Sequence, residues 1–142
     1  MNKDRIISER LLRLDEEIAY LKNEREALRS YDDYRNNVRL RKAVERSLQV
    51  AIEICFDISQ RIISVEGLRL ASSYRETFLV LQEAGILESG QGERLANMAS
   101  FRNLLVHDYV RIDDERVYAI LKRRLGDFDA FAAAITLHLK ER

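Results

Sequence analysis

The run Arg102-Asn103-Leu104-Leu105-Val106-His107-Asp108-Tyr109 sets an arginine, a histidine and a tyrosine into a stretch that is otherwise apolar and helical in pattern. A guanidinium stays charged at any working pH, and an imidazole changes charge near neutrality. Together they suit phosphoryl chemistry, and RNA cleavage in particular, where the substrate's own 2′-hydroxyl is the nucleophile and no metal is required. In that chemistry His107 takes or gives a proton. Arg102 holds the phosphate and stabilises the extra negative charge of the transition state. Asn103 hydrogen-bonds the phosphate or fixes the imidazole. The only other histidine, His138, stands in the last helical segment with no ligand set near it in sequence. A metal site would need more clustered His, Cys or carboxylates than the chain offers, so neither a metal nor a cofactor is expected.

Helix geometry divides these residues. Asn103 and His107 are four apart and share a face, whereas Arg102 and His107 are five apart and diverge by roughly 140° on an ideal helix. Arg102 and Tyr109, seven apart, share another face if the helix runs that far. A straight helix does not aim Arg102 and His107 at one phosphate. Either the helix deforms, or the long arginine reaches around, or a second copy completes the site across a two-fold axis. A plainer alternative stands beside the catalytic one: His107 caps the helix, and Arg102 pairs with Glu53 or Asp57. The spacing alone does not decide between them.

The elements that position these residues read as helices throughout. Ile7, Leu11, Leu14, Ile18, Leu21 and Leu28 alternate by fours and threes, with Arg25 in the one missing slot. That is the seam of a helix packed on its own chain or on a partner. Tyr31-Asp32-Asp33 interrupts the pattern and offers an N-cap. A second long helix carries Leu40, Val44, Leu48, Ala51, Cys55, Ile58 and Ile62, widened by Ile52, Ile54, Phe56 and Ile63, so it is expected at the centre. Glu53 and Asp57 lie inside that apolar stretch, and buried carboxylates need cationic partners. Gly67 marks a break, Ser73 and Glu76 have capping-box spacing, and Gly85 supplies a stop. A fourth helix runs from about Glu93 into the octet, Asp113 caps a fifth, and Gly126 bends the chain into a sixth. Nothing alternates with period two, so no sheet is expected.

Composition narrows the class. The 142 residues fit one domain, 1–142, and contain no proline, five glycines and one cysteine, with 46% hydrophobic and 34% charged residues. Without proline little breaks a helix, and an all-α fold is the default. The zero net charge excludes a broad basic coat for nucleic acid but leaves room for a small basic cleft. Arg35, Arg39, Arg41, Lys42 and Arg46 form a basic run that is either a solvated face or a phosphate track, and Arg94 and Arg111 flank the octet. Cys55, in an apolar run, reads as a buried thiol. No membrane-length apolar window or leader-like stretch is present, and a cytoplasmic home is expected.

Three segments in order carry a sharper signal: AVERSLQVAIEICFDISQRIIS (43–64), SYRETFLVLQEAGIL (73–87) and FRNLLVHDYVRIDDERVY (101–118). Together they resemble the HepT-like family, the minimal HEPN ribonucleases of prokaryotic toxin–antitoxin pairs. The resemblance spans about the last hundred residues. It implies an up-and-down bundle of about five to six helices that forms a homodimer, with the cleft at the dimer interface. It also implies a metal-independent endoribonuclease with Arg102 and His107 as the catalytic pair and Asn103 as polar neighbour. Glu53 and Asp57 are the candidate supporting carboxylates. The implied partner is a minimal nucleotidyltransferase antitoxin that AMPylates Tyr109 and so places bulk and negative charge beside the cleft. The rivals are a non-catalytic helical partner of such a transferase and a purely structural bundle.

Overall fold

The computed structural model describes residues 2–141, with side chains from Arg5 onward. Every regular element among them is helical: α1 (Asn2–Ala27), α2 (Tyr31–Arg35), α3 (Val38–Glu66), α4 (Tyr74–Glu83), α5 (Gln91–His107), a 3-10 turn (Tyr109–Arg111), α6 (Asp114–Arg123) and α7 (Leu125–Glu141). The all-α expectation holds. The count is seven rather than five or six, because the segment read as an interruption after α1 folds into the five-residue α2. The caps there also differ from the expected aspartates: Ser30 accepts the Asp33 N–H to start α2, and Asn37 accepts the Leu40 N–H to start α3. Short polar side chains just ahead of a first helical turn satisfy N–H groups that the helix itself cannot.

The central helix is α3, which packs against α1, α2, α4, α5 and α7. Its stripe from Val44 through Leu48, Ala51, Cys55, Ile58 and Ile62 is fully buried. The α1 seam lies on this same chain: Ile7, Leu14, Ile18 and Leu21 are buried, and α3 is the principal partner of α1. Gly67 ends α3 in the left-handed conformation (φ 65°), which a side chain rarely adopts, and its N–H closes on the Ile63 carbonyl. α4 begins as its spacing foretells: the Ser73 hydroxyl accepts the Glu76 N–H, while the Glu76 carboxylate reaches back to the N–H and hydroxyl of Ser72.

α4 and α5 form a close pair. Gly92 permits it, since a Cβ there would lie 3.0 Å from the Phe78 carbonyl oxygen and 2.7 Å from Gln82 Oε1. At the far end, the bend into α7 falls at Arg124, with Leu125 already helical, so Gly126 lies inside the first turn rather than at the corner. Phe78, Phe101, Phe128 and Phe131 fill the space between α4, α5 and α7 and are essentially inaccessible. None of the helices among the described residues is long and apolar enough to cross a membrane.

Candidate active site

Arg102 is turned into the bundle. Its side chain is 14% exposed, and its Nε and Nη2 both donate to Glu53 Oε2, at 3.0 and 2.7 Å. The guanidinium carbon lies over the Tyr74 ring, 4.7 Å from its centroid, and Tyr74 in turn stacks on Phe56 (3.7 Å, 20°). Nη1 donates to Asn103 Oδ1 at 3.3 Å. An arginine held along one edge by a carboxylate and over one face by an aromatic ring has few rotamers left. Three of its five N–H donors are engaged in these bonds, so two remain for an incoming phosphate oxygen.

Three elements build this clamp. α3 supplies Glu53 and Phe56, three residues apart and therefore on one face, α4 supplies Tyr74 from its first turn, and α5 supplies Arg102 and Asn103. Gln49, one turn before Glu53, also donates to Glu53 Oε2, at 3.4 Å. That one oxygen therefore collects donors from α3 and α5 alike.

The other half of the octet is arranged in the opposite way. α5 stays α-helical through His107 and stops there, because Asp108 takes φ −130°, ψ 47°. The helix does not deform between Arg102 and His107, so their divergence on the helix stands. His107 is exposed, and its ring has no hydrogen-bond partner among the described residues, so it does not cap the helix through its side chain. Tyr109 begins the 3-10 turn and is 71% exposed, with Val110 beside it at 84%. Because the α-helix ends at His107, Tyr109 is not seven helical positions from Arg102, and the shared face expected for the two does not form. Arg111 sits 3.7 Å from Asp108 across the turn.

The two acids of α3 part company. Glu53 is half-buried and meets Arg102, as the plainer alternative expected. Asp57 is exposed, and its closest cation is Arg10 of α1 at 3.9 Å, so it supports neither Arg102 nor His107. One turn further along α3, the carboxylate has moved past the end of the α5 side chain that Glu53 reaches, and it looks toward α1 instead.

Tyr74 and Phe56 join the site without being among the sequence candidates for it. Phe56 is readable in part, as an aromatic three positions from an acid on the same helix, but nothing local assigns Tyr74 to Arg102. Elsewhere, His138 Nε2 lies at hydrogen-bond distance, 2.7 Å, from Glu66 Oε2, joining the distal ends of α3 and α7. Arg41 is drawn out of the basic run by Asp114, at 3.2 Å. Burial pushes the Cys55 thiol far above its ordinary value, so it is chemically silent. No group of three or more His, Cys, Asp or Glu converges as metal ligands would among the described residues.

Helices in this order place the chain among all-α bundles of the HEPN type. It superposes on the tri-AMPylated HEPN toxin of Shewanella oneidensis, solved in complex with MNT antitoxin, with a TM-score of 0.84 at 23% identity over 93% of this chain and 97% of that one. It matches the Bacillus subtilis cytosolic protein YutE equally well, with a TM-score of 0.84 at 18% identity over 97% of this chain and 91% of that one. In sequence, a family model described as ribonuclease HepT-like matches residues 6–135, and the chain belongs to that ribonuclease family. Among its relatives are the mRNA nuclease HepT of Shewanella oneidensis (28% identical, 72% of this chain and 77% of that protein) and the tRNA nuclease HepT of Aphanizomenon flos-aquae (30% identical, 78% and 75%).

Proposed function

We propose that this chain, as one unit over residues 1–142, is the toxin of a toxin–antitoxin pair: a metal-independent endoribonuclease that works as a cytoplasmic homodimer. The observation that carries the reading is the pre-set Arg102. Its guanidinium is fixed by Glu53 and Tyr74 with donors to spare, five residues before a histidine that has no partner and faces solvent.

In the proposed reaction the ribose 2′-hydroxyl attacks the adjacent phosphorus. The new 2′-oxygen–phosphorus bond forms as the bond to the 5′-oxygen breaks, leaving a cyclic phosphate. His107 takes the 2′-hydroxyl proton or delivers one to the departing 5′-oxygen. Two protons move, and each subunit offers one His107, so a second copy supplies the other transfer. Arg102 meets the charge that grows on the phosphoryl oxygens, and because its carboxylate and aromatic supports are already in place, little reorganisation accompanies the reaction. Asn103, on the His107 face of α5 and bonded to Arg102, stands ready to hydrogen-bond the phosphate between the two groups.

Tyr109 fits the role of a control point. Its hydroxyl is accessible at the end of the same helix. A minimal nucleotidyltransferase antitoxin that AMPylates it adds a phosphodiester beside His107, and that charge competes with RNA for Arg102. The antitoxin-bound, AMPylated state of the Shewanella toxin supports this assignment.

The decisive experiment is cleavage of a labelled RNA in the presence of a chelator. The native protein is expected to cut. Equal RNA decay with native protein, Arg102→Ala and His107→Ala would sink the catalytic assignment.

A further inference from the structure

A second set of arginines converges on the other side of α5. Arg94, Asn97, Met98 and Phe101 of α5, with Arg116 of α6 and Arg124 beyond it, enclose a groove of about 220 Å³. Its floor is apolar, since Met98, Phe101 and the α6 residue Ile120 are buried. One acid is present, Asp127, and it answers Arg94 at 3.5 Å. Among the described residues neither Arg116 nor Arg124 pairs with a carboxylate, although the chain carries as many acids as bases. The guanidinium carbon of Arg116 lies over the Phe101 ring, 5.0 Å from its centroid, and the residue is otherwise exposed.

We infer that this groove binds the sugar–phosphate backbone of single-stranded RNA next to the scissile step, an assignment that rests on the ribonuclease reading above. Two uncompensated guanidiniums over an apolar floor attract an anion and shield it from water. The volume lies below the range of about 300–1,000 Å³ usual for small-ligand pockets, which favours a passing backbone segment over a whole nucleotide cofactor. The exposed guanidinium of Arg116 offers a stacking partner to a base, as guanidiniums do in single-strand recognition. Position agrees: Phe101 precedes His107 by six residues, which is about 9 Å along the α5 axis and roughly 120° around it. A strand leaving the His107 side of α5 reaches Arg116 by curling round the helix.

The test separates binding from cutting. Binding of a fluorescent single-stranded RNA carrying 2′-O-methyl groups, which lacks the attacking hydroxyl, is followed by anisotropy across a salt series. R116A/R124A is expected to bind about tenfold more weakly near 0.1 M salt. Its slope of log affinity against log salt should be shallower by about 1.4, the value for two lost phosphate contacts at about 0.7 each. With cleavable RNA the same variant raises KM and leaves kcat at saturation unchanged. Arg124→Gln alone, at an exposed position without side-chain bonds, lowers the slope by about 0.7 and covers the case in which the double variant fails to fold. Unchanged affinity and slope in the folded variants overturn the inference. So does loss of binding to the transferase partner with RNA affinity intact. If native protein binds the methylated RNA through these arginines yet never cuts ordinary RNA, the groove stands and the nuclease reading falls. If the variants bind normally while Arg102→Ala abolishes cutting, the reverse holds.

Discussion

Within one stretch of eight residues the chain builds two opposite environments. At Arg102 the side chain is 14% exposed, bonded twice to Glu53 and laid over Tyr74. At His107 and Tyr109 the side chains are exposed and the backbone is leaving the helix. The contrast fits the roles proposed for these groups. A group that stabilises charge works best when it does not move, so its supports are built into the fold. A group that passes protons, or one that a partner enzyme modifies, must be reached from solvent, so it stands at the end of an element. The octet is therefore half core and half surface, and its two halves are expected to respond differently to mutation.

The largest effect separates activity from stability. His107→Ala and Arg102→Ala are each expected to lower the cleavage rate by about 10²–10⁴-fold. Only Arg102→Ala should also weaken the fold, by about 1–3 kcal/mol, because it leaves the half-buried Glu53 carboxylate without its guanidinium. His107→Ala should stay within about 0.5 kcal/mol of native. Urea melts of the two variants check the contrast, and a matching loss of stability in both would erase it.

The next effect tests the clamp itself. Glu53→Gln keeps shape and hydrogen bonding but removes the charge that orients Arg102, and the rate should fall by about tenfold, the equivalent of roughly 1.4 kcal/mol. Asp57→Asn, one turn along the same helix, should leave the rate unaltered, because Asp57 faces Arg10 at 3.9 Å rather than Arg102. Steady-state kinetics on the two variants read the difference, and equal rate losses would mean that the α3 acids act as a general field rather than through one contact.

How much of this was legible beforehand depends on the range of the interaction. The long helices, the central place of α3, the Ser73 cap and the Asp113 cap follow from periodicity and short-range capping chemistry, and all of them form. The pairing of Arg102 with Glu53 was one of two partners the spacing allowed. Geometry between helices, which no local pattern encodes, selected it and sent Asp57 to α1. Tyr74 was beyond reach for the same reason, since 28 residues separate it from the ring's cationic partner. The end of α5 at His107 was also hidden. Asp108 leaves helical geometry with no glycine or proline to announce it, and the expected Arg102–Tyr109 face was lost with it.

A smaller effect on the free protein marks the exposed end. Tyr109→Phe removes a solvent-facing hydroxyl that makes no bond in the fold, so stability and RNA cleavage should both stay close to native. What should disappear is control. Co-expressed with an active transferase, the native chain gains mass in whole AMP increments and the variant does not. A variant that still gains mass would move the modification to another residue.

The smallest effect concerns the support under Arg102 and its dependence on acid. Tyr74 is the first residue of α4, and the start of that helix is tied down by Glu76, which binds Ser72 and, at 2.5 Å, Arg69. Hydrogen bonding from the Ser72 hydroxyl, followed by that from Arg69, holds the Glu76 carboxyl down at about 2, against 4.5 ordinarily. A carboxyl whose folded value lies below its unfolded one stabilises the fold fully above the unfolded value and loses that contribution as pH falls toward the folded one. The window here is pH 4.5 down to 2. Melting curves of native protein and Glu76→Gln should therefore differ at pH 6 and converge at pH 2. Any acid-linked loosening of the start of α4 should reach Arg102 through Tyr74, while Tyr109 has no such tether to lose. Parallel curves at both pH values would show that Glu76 does not carry the acid sensitivity of the clamp.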